Sequence, residues 1–117
     1  MRLRSDFWVA ALLRRCNSLG ASAVLRRRGA PEAGAIFVVV DNLGGALQLY
    51  GPAPQSELPD GSMDRLFVPL HREASFSSAD VESKLAKQVS FDPDVWIIEI
   101  EDKQARIFFD LANLAGK

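Results

Sequence analysis

The sequence predicts an α+β domain in which two helices pack on one face of a mainly antiparallel sheet of four to six strands, in the order helix, three or four strands, helix, strand. Three observations lead there. Apolar residues recur at helical spacing over residues 7–19 and again at Val81, Leu85 and Val89. Short β-branched runs, AIFVVV at 35–40 and VWIIEI at 95–100 among them, are bounded by Gly, Pro, Asn and Asp. A chain of 117 residues with 48% hydrophobic content also suits one core, because domains of roughly 100–150 residues are the commonest size. Residues 1–117 are therefore read as a single domain.

On a helical wheel, residues 7–19 place Trp8, Val9, Leu12, Leu13, Cys16 and Leu19 on one broad arc, while Arg14, Asn17 and Ser18 face away. Ser5 is expected to cap the first turn with its hydroxyl, and Gly20 to end the helix in the left-handed conformation. Cys16 lies inside the apolar arc, which predicts a small buried hydrophobe and not a nucleophile. Residues 22–28 read as a strand with a basic end, and 29–34, with Pro31, as a turn. The run 35–40 is apolar on both faces, so a central strand covered on both sides is expected. Residues 41–45 form a turn by composition. Leu47 and Leu49, alternating with Gln48 and Tyr50, predict a hairpin partner with one wetter face.

Residues 51–64 hold three prolines and two glycines and read as a loop. The next strand, over 66–70, contains Pro69, which cannot donate to a ladder and so belongs on a sheet edge. Ser77 then has the position of a helix cap, with Asp80 in the reciprocal place and Phe76 and Val81 set as a hydrophobic staple. Val81, Leu85 and Val89 form the stripe of this second helix, with Asp80 and Glu82 early and Lys84 and Lys87 late, matching the helix dipole. Asp92 precedes Pro93 and is pushed out of helical geometry, which ends the helix. Residues 95–101 are the last clear strand, 107–109 a further one, and a tail begins at 110.

The net charge of −1 hides an uneven distribution. Residues 1–30 carry seven arginines against Asp6, or +6, and the remainder carries seven basic and fourteen acidic residues, or −7. Such polarity steers an anionic partner, unless the two halves of the chain pair their charges with each other once folded. The candidate partner-binding residues are accordingly Arg14, Arg15, Arg26, Arg27 and Arg28, with Tyr50 beside the loop containing Pro52 and Pro54. One cysteine excludes an intramolecular disulfide, and with one histidine there is no zinc ligand set of the usual kind. No cofactor and no metal are expected. The thiol count points to a reducing, cytoplasmic location. Arg14-Arg15 interrupts the short apolar run at the N-terminus, which argues against a signal peptide, and no apolar stretch reaches the roughly 20 residues of a membrane-spanning helix.

One stretch, FDPDVWIIEIEDK at 91–103, carries the acidic-plus-lysine text of metal-dependent nucleases. Carboxylates that share an ion must converge on it. An extended strand instead separates Asp94 from Glu101 by roughly 23 Å and points their side chains to opposite faces. Glu99 and Glu101 do share a face, close enough for a hard cation, although the solvated end of a strand is the favoured reading. Glu101 and Lys103 are expected to form an exposed pair. His71 stands in no nucleophile elbow. Gly116-Lys117 is the only Gly-Lys pair and Gly44-Gly45 lacks dinucleotide spacing, so neither phosphate-binding motif is present. An RNA platform would need stacking aromatics where Ala35 and Val40 stand, and a double-stranded RNA-binding helix would open on lysines, not on Asp80 and Glu82.

Taken together, MRLRSDFWVAALLRR, GAIFVVVD, LYGPAP and DVWIIEIED resemble a family of short alphaproteobacterial proteins catalogued as domain of unknown function 1491. The resemblance runs from Arg2 to about Phe109, with the Arg-Leu-Arg-Ser start and the Phe91-Asp92-Pro93-Asp94 turn its most particular features. It implies a bacterial cytoplasmic protein and brings no activity, cofactor or catalytic residue. The function expected is that of a non-catalytic binding or adaptor module whose arginine-rich surface contacts an acidic protein or a nucleic acid. The alternative is a small metal- or acid/base-dependent, nuclease-like enzyme using the acids of the last strand. A homodimer through the edge of the sheet is a third expectation.

Overall fold

A computed structural model describes residues 3–54, 65–71 and 77–112. The elements are α1 (Ser5–Ser18), β1 (Ser22–Arg27), β2 (Ile36–Asp41), β3 (Leu47–Pro52), β4 (Phe67–Pro69), α2 (Ser78–Phe91) and β5 (Trp96–Glu101). This is the α+β element order that the sequence predicts. The five strands form one sheet in the order β1-β5-β2-β3-β4. Its pairings are antiparallel except for β2 with β5, which run parallel from Ile36 opposite Trp96 to Asp41 opposite Glu101.

The expectation of both helices on one face is corrected. Ile36, Val38 and Val40 of β2 and Trp96, Ile98 and Ile100 of β5 pack with Val9, Leu12 and Cys16 of α1. The intervening Phe37, Val39 and Ile97 pack with Val81 and Leu85 of α2. A strand that is apolar at every position sends alternate side chains to both sides of the sheet, and each side must be covered. One helix therefore lies on each face. The same alternation places Leu49 toward α2 and Tyr50 toward α1, so β3 has no wetter face.

Ser5 is not the cap of α1. It is 0% exposed, its hydroxyl donates to the Gly34 carbonyl at 2.8 Å and it accepts from the Arg65 guanidinium at 3.0 Å. Backbone carbonyls take over the capping role: the Ser5 and Asp6 N–H groups donate to Glu32 O at 3.1 Å and Pro31 O at 2.9 Å. The helix ends as expected at Gly20, whose φ of 93° allows Ala21 N–H to donate back to the Cys16 carbonyl at 3.0 Å. Leu19 belongs to this cap and is exposed, not part of the apolar arc. Ser77 caps α2, accepting from Asp80 N–H at 3.1 Å, and the helix gives way at Asp92. Phe76, residues 55–64 of the loop and the tail beyond 112 lie outside the described residues.

Pro69 does lie on an edge strand, β4. Residues 107–109 form no strand. Instead Phe108 and Phe109 are buried on the α1 side, with Phe109 edge-on to Tyr50 and Phe67 at 5.2 and 5.1 Å. The segment then joins the outside of β4, with Phe67 N–H donating to Asp110 O at 2.9 Å and Ala112 N–H to Phe67 O at 2.8 Å. The opposite edge, β1, is interrupted by a bulge between Leu25 and Arg27 and carries two arginines. Both devices discourage edge-to-edge pairing between copies.

If both faces are core, Ile98→Ala on the α1 side and Leu85→Ala on the α2 side each lower the unfolding free energy by about 2–5 kcal/mol. Urea titration checks this. A Leu85→Ala variant as stable as the parent contradicts the two-faced packing.

Candidate functional site

Because α1 turns Ser5, Val9, Leu12 and Cys16 inward, Phe7, Ala10, Ala11, Arg14 and Ser18 occupy its outer face, and all five are exposed. The guanidinium groups of Arg14 and Arg15 make no hydrogen bond, ion pair or ring contact with the described residues. The other candidate arginines are drawn into the fold. Arg26 reaches from β1 across the α2 side of the sheet to Glu82 Oε1 at 2.8 Å and Glu99 Oε1 at 3.2 Å. That hydrogen bond to Glu82 raises the guanidinium pKa, and in return holds the Glu82 carboxyl below its ordinary value. Arg27 donates to the Pro93 carbonyl at 2.9 Å, and Arg28 lies over the Trp96 indole at 5.4 Å. Tyr50 is 7% exposed. Its hydroxyl donates to Gln48 Oε1 at 2.8 Å, and burial pushes its phenol pKa up. The six candidates thus do not converge on one surface.

A second group does converge, and the sequence signalled only part of it. Asp41 ends β2 and Glu101 ends β5, directly opposite in the parallel register. With Glu99 they form a trio in which one carboxylate oxygen from each lies within 4.8 Å of the others. Asp41 and Glu99 of the trio line a cleft of about 420 Å³, together with Arg26, Leu43, Ser78 and Glu82. Three carboxylates are the hard oxygen ligands that Mg²⁺ or Ca²⁺ takes. Two of them are already engaged, Glu99 with Arg26 and Asp41 Oδ1 with the Leu43 N–H at 2.8 Å, so an ion would compete with the fold's own contacts. Asp94 has no share in the group. It sits in the turn before β5, where its carbonyl accepts from Ala30 N–H at 2.9 Å.

The model of the family described as "Protein of unknown function (DUF1491)" matches residues 3–110. The chain belongs to the DUF1491 family. It is similar to the crystal structure of a DUF1491 family protein from Caulobacter crescentus CB15, with 34% identity, a TM-score of 0.78, and coverage of 95% of this chain and 97% of that one. A solution structure of a protein from A. tumefaciens shares 37% identity at a TM-score of 0.79, covering 95% of each chain. Among curated proteins, none matches.

The DUF1491 chain uses the rest of its notable polar residues for architecture. Asp102 is 6% exposed and accepts from the Arg106 backbone N–H at 2.9 Å and from its guanidinium Nε and Nη2 at 2.9 and 3.1 Å. Arg106 also donates to the Leu19 carbonyl at 3.1 Å, tying the turn after β5 to the C-terminus of α1. Lys103 makes no ion pair with Glu101 or any other described residue. His71 Nε2 accepts from the Leu49 N–H at 3.2 Å. Cys16 is buried, and that burial raises its thiol pKa, as suits a packed hydrophobe. No described helix is long and apolar enough to cross a membrane.

The hydrogen bond from Arg106 is the main reason the Asp102 carboxyl lies below its ordinary range. A folded-state pKa below the unfolded value contributes stability that is present above the ordinary carboxylate range and is lost as pH falls through the folded value. Asp102→Asn is therefore expected to lower Tm at neutral pH, and the gap from the parent to narrow below about pH 4. Thermal melts across that range measure it. A gap that stays constant contradicts the assignment.

Proposed function

We propose that this DUF1491 protein is a non-catalytic binding module that contacts an anionic partner through arginines on the exposed face of α1. The observation that supports this reading is the state of Arg14 and Arg15. Every other described arginine has an intramolecular partner: Arg4 with Asp6, Arg26 with Glu82 and Glu99, Arg27 with Pro93, Arg28 with Trp96, Arg65 with Leu3 and Ser5, and Arg106 with Asp102. Recruiting those would break contacts that the fold already makes. Arg14 and Arg15 carry no such penalty, and a guanidinium fork suits carboxylate or phosphate. Arg26, Arg27 and Arg28 serve the fold in this account, and buried Tyr50 packs against Phe109.

The test is a binding titration by fluorescence anisotropy with a polyglutamate peptide and an RNA oligonucleotide. An anionic probe binds at low ionic strength, weakens as salt is added, and is lost with the double variant Arg14→Glu, Arg15→Glu. Absence of binding by either probe at low salt contradicts the proposal.

The convergence of Asp41, Glu99 and Glu101 favours a second reading, a cation-dependent enzyme using the acidic cleft. An ion bound only by the folded state raises Tm in proportion to its occupancy. On this reading Mg²⁺ or Ca²⁺ at millimolar concentration stabilises the parent but not Glu101→Gln. Equal melting with and without the ions removes it.

A further inference from the structure

We infer that the partner seated on α1 is an acidic amphipathic helix, laid so that an apolar side chain sits over Ala10 and Ala11 between Phe7 and Arg14, with carboxylates at Arg14 and Arg15. The inference rests on the anionic-partner reading above and names the partner's class. Its first ground is the composition of the stripe. Residues 7, 10, 11, 14 and 18 follow helical spacing, so they form one continuous outer surface. An ordinary solvated stripe mixes charges of both signs. This one displays Phe7 at 56% exposure, two alanines and Arg14, with no carboxylate. Asp6, on its flank, is held by Arg4 at 3.2 Å.

The second ground is shape. Ala10 and Ala11 form a low saddle between two long side chains, which lets a second helix axis come to the short end of the usual spacing of about 8–10 Å. Aromatic and arginine side chains around such a depression are the residue types that anchor protein interfaces. The third ground is charge, which selects among occupants. A second copy brings no carboxylate on this stripe and opposes Arg14 and Arg15 with the same arginines. A nucleic-acid backbone gains affinity by neutralising several phosphates, whereas two arginines whose side chains have no partner among the described residues offer few contacts and Phe7 and the alanines have no role. A helix carrying both apolar and acidic side chains uses the whole surface.

The experiment compares three probes by isothermal titration and by ¹⁵N chemical-shift mapping on the full chain. They are a synthetic peptide with leucines at helical spacing flanked by glutamates, a scrambled peptide of the same composition without amphipathic order, and a 20-nucleotide RNA. The amphipathic peptide is expected to bind, with shifts concentrated at Phe7, Ala10, Ala11 and Arg14. Phe7→Ala and Ala11→Gln, both at exposed positions, each weaken it about tenfold, with the remaining spectrum unchanged as the check on folding. Equal binding of the scrambled peptide, or tighter binding of the RNA, overturns the helix inference while leaving the anionic-partner reading in place. If no probe binds at low salt, both readings fall.

Discussion

The parallel pairing of β2 with β5 is the constraint on which the rest of the molecule depends. Six consecutive positions of each strand are matched, and five of the six in β2 are buried. A pair that is apolar on both faces cannot stand at the surface, so the sheet must be closed from two sides. That requirement separates α1 from α2, buries Cys16 in one half of the core and Leu85 in the other, and leaves only β1 and β4 as margins. Parallel strands also end at the same side of the sheet. The strand-terminal acids Asp41 and Glu101 are thereby made neighbours although far apart in the chain.

The same constraint sorts the charges. A sequence with a basic first quarter and an acidic remainder has two fates open to it, internal neutralisation or a polar surface, and the fold divides its arginines between them. Arg26 emerges on the α2 side and is neutralised by Glu82 and Glu99. Arg106 is consumed by Asp102 and the end of α1. Arg14 and Arg15 lie on the outer side of a helix whose inner side is committed to the core, so no acid of the described chain reaches them. The proposed interaction surface is what remains after the fold has met its own electrostatic needs.

Much of this architecture is legible in the sequence because it is local. The end of α1 at Gly20, both ends of α2, the both-sides burial of residues 35–40 and the edge position of Pro69 all follow from residue type and spacing. What resists reading depends on contacts across the chain. Ser5 has the right chemistry for a cap, but the turn at residues 31 and 32 supplies carbonyls in its place, and the hydroxyl is left to bind Gly34 and Arg65. The continuous apolar run implies opposed helices, but the sequence carries no local sign that β2 and β5 run parallel and so need cover on both faces. Asp41 looked like a turn residue because no periodicity encodes the register that sets it against Glu101. Asp102 read as one letter of an exposed acidic motif, yet its carboxylate is buried against Arg106. Phe7 is hard to recognise as an outward residue because an apolar run hides which members miss the core.

Native-state hydrogen exchange followed by NMR addresses the central constraint most directly. If the two-faced parallel pair holds the domain together, amides of β2 and β5 exchange slowest, at rates set by global unfolding, while those of β1 and β4 open earlier by local fluctuation. Maximal protection in an edge strand, with β2 and β5 exchanging through smaller openings, would contradict the account.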